Sequence, residues 1–299
     1  MPEPTSPNTD HRRGIQLAAS GVLVLSLDAL LIRLAGADPW VVVFWRGALM
    51  LLSLCTLVLV SKQTPYRALL TRAWRPILGL AALYGINGTL FVLSLSYTSA
   101  ANTVVILSSS AFFAAFFSWL LLRERVRRRT WMAIVASIAG VLTVFAGSMG
   151  LDTWLGDGLA LLLALSMGLM LSLMRCYPAL PRMLIVALSG AVMAAVALPM
   201  TGSLWVPLER FSWLALMGLI QMPLASVLIM SATRYLSSPE VSLFLLIETV
   251  FGPIWVWWVL QEAVAPLTLV GGAIILTAIS AHSWLALRQQ PQHQWDQSH

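Results

Sequence analysis

The sequence predicts an all-α integral membrane protein with ten transmembrane helices. Composition is the first reason: of 299 residues, 59% are hydrophobic and only 10% are charged, whereas a soluble domain carries about a quarter charged residues. Segment length is the second, because each apolar stretch has about 17–22 residues and a helix of about 20 crosses the hydrocarbon core of a bilayer. The ten stretches are residues 14–34, 41–60, 77–95, 103–122, 130–147, 158–174, 183–200, 211–232, 241–260 and 267–287.

The stretches divide the chain into two groups of five. Helices are expected because unpaired backbone groups in lipid cost several kcal/mol each, and no alternating strand pattern is present in the sequence. Residues 14–147 then form a first five-helix repeat and residues 158–287 a second, joined by an outside loop at 148–157. Residues 1–13 and 288–299 are polar and are predicted to be cytoplasmic tails.

The basic residues predict which side each loop faces. With the N-terminus in the cytoplasm, inside segments hold 15 of the 18 lysines and arginines, and the outside segments hold only Arg210. Arg33 and Arg46 lie within spans, and Arg33 is close enough to the outer end to extend its charge to the headgroups. Cytoplasmic loops carry the excess of basic residues in membrane proteins, so both termini are predicted to be cytoplasmic.

An internal repeat relates span 4 to span 9. Over residues 97–130 and 235–268, nine of 34 positions are identical without a gap, including Glu124 with Glu262. The first copy ends in "RERVRRRT" and the second in "QEAVAPLT". Because five spans separate the copies, the second is inserted upside down, and only the first end faces the cytoplasm. Inverted repeats of this kind exchange outward-open and inward-open states around one site, which predicts a carrier working by alternating access.

Four segments resemble the drug/metabolite transporter superfamily, specifically its ten-span EamA-type members. They are "DPWVVVFWRGALMLL", "LSYTSAANTVVILSSSAFFAAFFSWLLLRER", "GDGLALLLALSMGLMLSLMR" and "ATRYLSSPEVSLFLLIETVFGPIWVWWVLQE", and the resemblance covers residues 14–287. It implies a cavity lined by spans 1, 3, 4, 6, 8 and 9. It also implies export of small metabolites across the inner membrane, with amino acids favoured and YddG-like exporters of aromatic amino acids as the leading group.

Ionisable residues within spans are the first candidates for the site, because a charge in lipid is costly. Asp28 in span 1 and Arg46 in span 2 lie at similar depths, so an ion pair between them is geometrically possible. Such a pair either fixes two helices or provides an ammonium or proton site on Asp28 and a carboxylate site on Arg46.

Glu248 lies about eight residues from the inner end of span 9, and its counterpart in the first repeat is Ser110. A buried carboxylate can take up and release a proton. The alternatives are that Glu248 caps backbone freed by Pro253 or accepts a hydrogen bond from Gln221 of span 8.

Polar residues in spans 3, 4 and 8 complete the candidate set. Tyr84 and Asn87 lie among glycines in "LYGINGTL", and Gln221 precedes Pro223 at a similar depth. Each can bind a zwitterion or simply join two helices. Ser108 and Ser110 either face the cavity or bond to the backbone of their own helix.

Other function classes find less support in the sequence. An intramembrane enzyme needs a nucleophile with its base, a carboxylate dyad or a metal cluster, and we expect none. A passive channel needs a continuous pore, and no paired pore motif occurs. Cationic drugs and nucleotide sugars are the alternative cargoes; phosphate needs basic residues in the cavity, and only Arg46 qualifies. We expect no cofactor, no metal and no nucleic acid partner. We expect the protein to contact membrane lipids and to be a monomer or a homodimer.

Overall fold

A computed structural model describes residues 7–60, 66–122, 128–148, 151–232, 235–236 and 238–287. Within these ranges the secondary structure is helical and no β-strand is present. The helices are α1 (Pro7–Leu25), α2 (Asp28–Ala35), α3 (Pro39–Val60), α4 (Tyr66–Tyr97), α5 (Ala100–Ser108), α6 (Ser110–Leu122), α7 (Arg128–Gly147), α8 (Leu151–Cys176), α9 (Arg182–Ala197), α10 (Leu208–Ala215), α11 (Met222–Ala232), α12 (Ser238–Leu260) and α13 (Pro266–Leu287).

Eight helical segments are long and apolar enough to cross a membrane. They are His11–Ala35, Pro39–Val58, Ala73–Tyr97, Ala100–Leu121, Thr130–Gly147, Asp152–Cys176, Arg182–Met200 and Leu208–Ala232. Two further apolar helices among the described residues, Ile247–Leu260 and Pro266–Ala281, are shorter. The all-helical prediction is confirmed for the described residues, eight segments have the length and composition of membrane spans, and a total of ten spans stays a prediction.

Spans 1 and 4 are each interrupted near a serine. Span 1 breaks at Ser26 and Leu27, between α1 and α2, and span 4 breaks at Ser109, between α5 and α6. The Ser26 hydroxyl donates to the Leu23 carbonyl at 2.7 Å, and the Ser109 hydroxyl donates to the Ile106 carbonyl at 2.6 Å. A serine that bonds to its own helix competes with the backbone and bends it.

Span 8 contains a wider turn in place of a break. A π-helical segment, Leu216–Gln221, lies between α10 and α11, and Pro223 follows it directly. Proline has no backbone N–H, and its ring clashes with the carbonyl four residues earlier. The wider π turn accommodates that loss and changes the direction in which Gln221 points.

Close helix packing is made possible by glycine pairs. Helices α3 and α9 meet at Gly47 and Gly190, where a Cβ on Gly190 would lie 2.4 Å from the Gly47 carbonyl oxygen. Helices α7 and α13 meet in the same way at Gly140 and Gly271. Small residues allow helix backbones to approach closely in lipid, where apolar burial alone gives little attraction.

Candidate functional site

The break in span 1 is held by side chains from the second half of the chain. The Gln221 amide donates from Nε2 to the backbone carbonyls of Val24 at 3.2 Å and Leu25 at 3.4 Å. The Trp255 indole donates from Nε1 to the Ser26 hydroxyl at 3.0 Å. The last carbonyls of a helix have no partner within it, so these contacts satisfy the end of α1 and fix the position at which α2 begins.

Asp28 is the first residue of α2 and forms a buried ion pair. The Arg46 guanidinium donates from Nη2 to Asp28 Oδ2 at 2.7 Å, and each side chain is only 6% exposed. The N-terminus of a helix carries partial positive charge, which favours an acidic residue there. The ion pair that the sequence suggested from the depths of the two residues is therefore present.

The ion pair does not use all of its bonding capacity. Among the described residues, Asp28 Oδ1 has no hydrogen-bond partner, and neither do Nε and Nη1 of Arg46. The Arg46 guanidinium also lies over the Phe91 ring, 5.6 Å from its centroid. Leaving a buried charged group partly unpaired is costly, and with respect to the described residues the pair retains one free acceptor and two free donors in the interior of the helix bundle.

Tyr84 and Glu248 face the same interior region as the pair. The charges of Asp28 and Arg46 act on both side chains, and the charge of Glu248 acts on Tyr84. Both side chains are half-buried, and among the described residues none forms a hydrogen bond or ion pair with the Glu248 carboxylate. Spans 1, 2, 3 and 9 thus contribute two carboxylates, a guanidinium and a phenol that interact electrostatically with one another.

Asn87 and Gln221 occupy the depth expected from the sequence but have partners that the sequence did not predict. Asn87 is 2% exposed, and its amide donates only to the sulfurs of Met170 at 3.7 Å and Met167 at 3.9 Å. Gln221 donates to the span 1 backbone, so the structure does not show the hydrogen bond from Gln221 to Glu248 that was one of the alternatives for Glu248. The side-chain oxygens of Asn87 and Gln221 remain without partners among the described residues.

The two candidate serines of span 4 differ. Ser108 donates to the Val105 carbonyl at 2.7 Å, which is the local backbone bond considered for it. Ser110 begins α6 directly after the break and is half-buried.

Two functional contacts were missed by sequence reasoning. Arg33 was expected to extend to the headgroups, but it donates to Glu262 and to the Thr98 carbonyl. Trp255 donates inward to the Ser26 hydroxyl, whereas its neighbours Trp257 and Trp258 are exposed, at 53% and 64%. The polar run "SLDALLIR" in an otherwise apolar span was the available signal, because Ser26 and Asp28 both need partners from other helices.

Comparison with known proteins gives one family match. Residues 12–146, somewhat less than half of the chain, match the model of the EamA-like transporter family. Over these residues the chain is similar to a family of membrane transporters, in agreement with the resemblance that the sequence motifs carry.

Comparison with solved structures supports the fold over nearly the whole chain. Fifteen solved chains match. One, a crystal structure of a protein, is 14% identical, covers 93% of this chain and 98% of its own, and superimposes with a TM-score of 0.63. At this identity the likeness shows the fold alone. No curated protein matches the chain.

The buried pair predicts a particular pattern of stability. Asp28→Asn leaves Arg46 buried without its counter-charge, and Arg46→Met leaves Asp28 alone, so each should lower the free energy of unfolding by roughly 3–5 kcal/mol. The free energy of unfolding of the double variant Asp28→Asn/Arg46→Met should fall less than that of either single variant, because no buried charge remains unpaired. Thermal unfolding of the purified variants in detergent measures this. If the decrease in the free energy of unfolding of the double variant equals the sum of the two single decreases, the two residues do not stabilise the protein as a pair.

Proposed function

We propose that this EamA-like protein exports amino acids, with aromatic and other neutral amino acids favoured, across the inner membrane. The observation that carries the proposal is the incompletely bonded Asp28–Arg46 pair. A free amino acid is a zwitterion and needs one acceptor for its ammonium and a pair of donors for its carboxylate. Asp28 Oδ1 offers the first, and the N–H groups on Nε and Nη1 of Arg46, unpaired within the described residues, offer donors for the second, on different edges of the guanidinium plane.

Neighbouring side chains support a small ligand with an apolar or aromatic portion. Tyr84 interacts electrostatically with the pair. The Phe91 ring makes a cation–π contact with the Arg46 guanidinium. The free side-chain oxygens of Asn87 and Gln221 provide two more acceptors for N–H or O–H groups. A binding region that is largely apolar with few polar groups is typical of small-molecule sites.

Transport is proposed to follow alternating access between two inverted five-span repeats, residues 14–147 and 158–287. The family match ends at residue 146, which supports a boundary near the end of the first repeat. The glycine contacts between α3 and α9 and between α7 and α13 also support it, since each joins spans with the same place in the two halves.

Cationic drugs are the second candidate cargo, and Glu248 is the observation that favours them. When Glu248 is ionised, Asp28, Arg46 and Glu248 together carry one net negative charge, which suits a monocation. When Glu248 is protonated, the site is neutral overall and suits a zwitterion. The alternatives of a passive channel and of other metabolites remain less well supported, because neither uses the free bonding groups of the pair.

Uptake into proteoliposomes tests the cargo. Purified protein should take up Phe, Trp, Thr or Met above protein-free vesicles without an imposed gradient, because the pair binds the groups that all of them share. Tetraphenylphosphonium serves as the cationic comparison. If no amino acid enters with or without a pH gradient, the amino acid proposal fails, and uptake of the cation alone would favour the second candidate.

Glu248 should be required for transport. Glu248→Gln removes the charge and the exchangeable proton at nearly constant shape, so we expect uptake to fall at least about tenfold, the effect of losing roughly 1.4 kcal/mol, while the protein still inserts. Glu209→Gln, at an exposed outer carboxylate, is the control and should transport normally. Full activity of Glu248→Gln would exclude a role in coupling or binding.

The proposed orientation has both termini in the cytoplasm. A cysteine replacing Ala265, between α12 and α13, should react with a membrane-impermeant maleimide only from outside. A cysteine replacing Arg127, which lies outside the described residues, should react only from the cytoplasmic side. Labelling in the opposite sense would show that the chain inserts the other way round.

A further inference from the structure

A second charged pair lies at one end of the helix bundle, away from the central site. Arg33 of α2 donates from Nη2 towards Glu262, 3.4 Å from Oε1 and 3.3 Å from Oε2, and also to the Thr98 carbonyl at 2.8 Å. Glu262 follows α12. The pair therefore joins the first span to the segment that connects spans 9 and 10, one contribution from each half of the chain.

Glu262 is also bound to the start of a third helix. The backbone N–H of Ala100, the first residue of α5, donates to Glu262 Oε1 at 2.8 Å. A carboxylate at a helix N-terminus is favoured by the helix dipole and by the unpaired N–H groups there. Gln261, which precedes Glu262, adopts a positive φ of 55°, and this sharp turn directs the chain back from α12 towards α5.

The pair is anchored to a buried network that does not include the central site. Asp157 is fully buried and accepts hydrogen bonds from Thr98 at 2.7 Å and from Asn102 at 3.0 Å, as well as from Ser148. Thr268 of α13 donates to Asn102 Oδ1 at 2.6 Å. Because these bonds are satisfied and enclosed, Thr98 and Ala100 present Arg33 and Glu262 with fixed backbone partners.

Packing around the breaks indicates which end of the bundle is closed. At the end that contains Arg33, α2 and α5 both pack against α12. Past the breaks at Ser26 and Ser109, α1 stays against α11 and α12, whereas α6 packs against α8 and α7. Span 4 therefore turns away from α12 at its break, and the bundle is closed at the α2–α5 end.

We propose that Arg33 and Glu262 form a latch that keeps the α2–α5 end closed and that must break each time the transporter opens to that side. The proposal rests on the alternating access proposed above, and in the proposed topology this end faces outward. Opening requires α2 or α5 to separate from the end of α12. The latch joins α2, α5 and the end of α12, so its bonds break when α2 or α5 separates from α12.

A reporter cysteine at the central site tests the latch without needing a substrate. In a background of Cys55→Ser and Cys176→Ser, Tyr84→Cys is labelled with a membrane-impermeant maleimide from outside, in cells, or from inside, in inverted vesicles. Without further changes, labelling should occur mainly from inside. Arg33→Gln and Glu262→Gln should each raise the outside labelling rate about tenfold, because each removes charge-assisted hydrogen bonds that only the closed state forms.

Three further variants sharpen the result. The double variant Arg33→Gln/Glu262→Gln should raise the labelling rate by less than the product of the two single effects, because both single variants remove the shared ion pair, although Arg33→Gln also loses the Thr98 contact and Glu262→Gln the Ala100 contact. Arg210→Gln is the matched control: Arg210 donates to the Gly36 carbonyl at 2.9 Å at the same end, but outside the latch, and should leave labelling unchanged. Arg33→Lys keeps the charge but not the planar fork, so its rate should lie between those of the parent and Arg33→Gln.

The outcomes of this experiment distinguish a failure of the latch proposal from a failure of the cargo proposal. Unchanged outside labelling in monodisperse Arg33→Gln and Glu262→Gln proteins would overturn the latch, and so would effects that multiply in the double variant. Faster labelling from inside would overturn its assignment to the outer end. If labelling responds as expected but no amino acid is carried, the latch stands and the cargo proposal falls alone. If Arg33→Gln does not fold, the Arg33→Lys rate decides.

Discussion

The arrangement of the site depends on one constraint, which is the cost of holding Asp28 and Arg46 within an apolar helix bundle. A charge in lipid is tolerated when it is paired or faces a polar interior, and the pair at 2.7 Å meets that requirement. It does so only because span 1 is interrupted just before Asp28, which places the carboxylate on a helix N-terminus. Gln221 and Trp255 hold that interruption, so the pair depends on contacts from the other half of the chain.

The sequence predicted the features that depend on hydropathy and on depth along a helix. Span positions follow from apolar length, and the depths of Asp28 and Arg46 correctly suggested an ion pair. Partners that depend on rotation about a helix axis were not predictable. Gln221 illustrates this: its depth was right, but the π turn before Pro223 rotates it towards the span 1 carbonyls and away from Glu248.

Arg33 and Trp255 show a second limit, which is that a residue near an interface has two low-energy choices. An arginine there can reach the headgroups or a buried acceptor, and a tryptophan can join the aromatic belt or donate inward. Which one occurs depends on whether another helix presents an acceptor at that point. Glu262, the Thr98 carbonyl and the Ser26 hydroxyl are such acceptors, and each comes from a distant part of the sequence.

The two halves of the chain differ in where they bend, and this difference bears on the mechanism. Spans 1 and 4 break at Ser26 and Ser109, whereas α12 runs unbroken through Pro253. The segments α2 and α5 both pack against α12. A serine that bonds to its own helix bends it, while α12 offers a continuous surface. In the alternating access that we propose, this geometry favours the broken spans as the moving parts, with α12 as the fixed element that they meet.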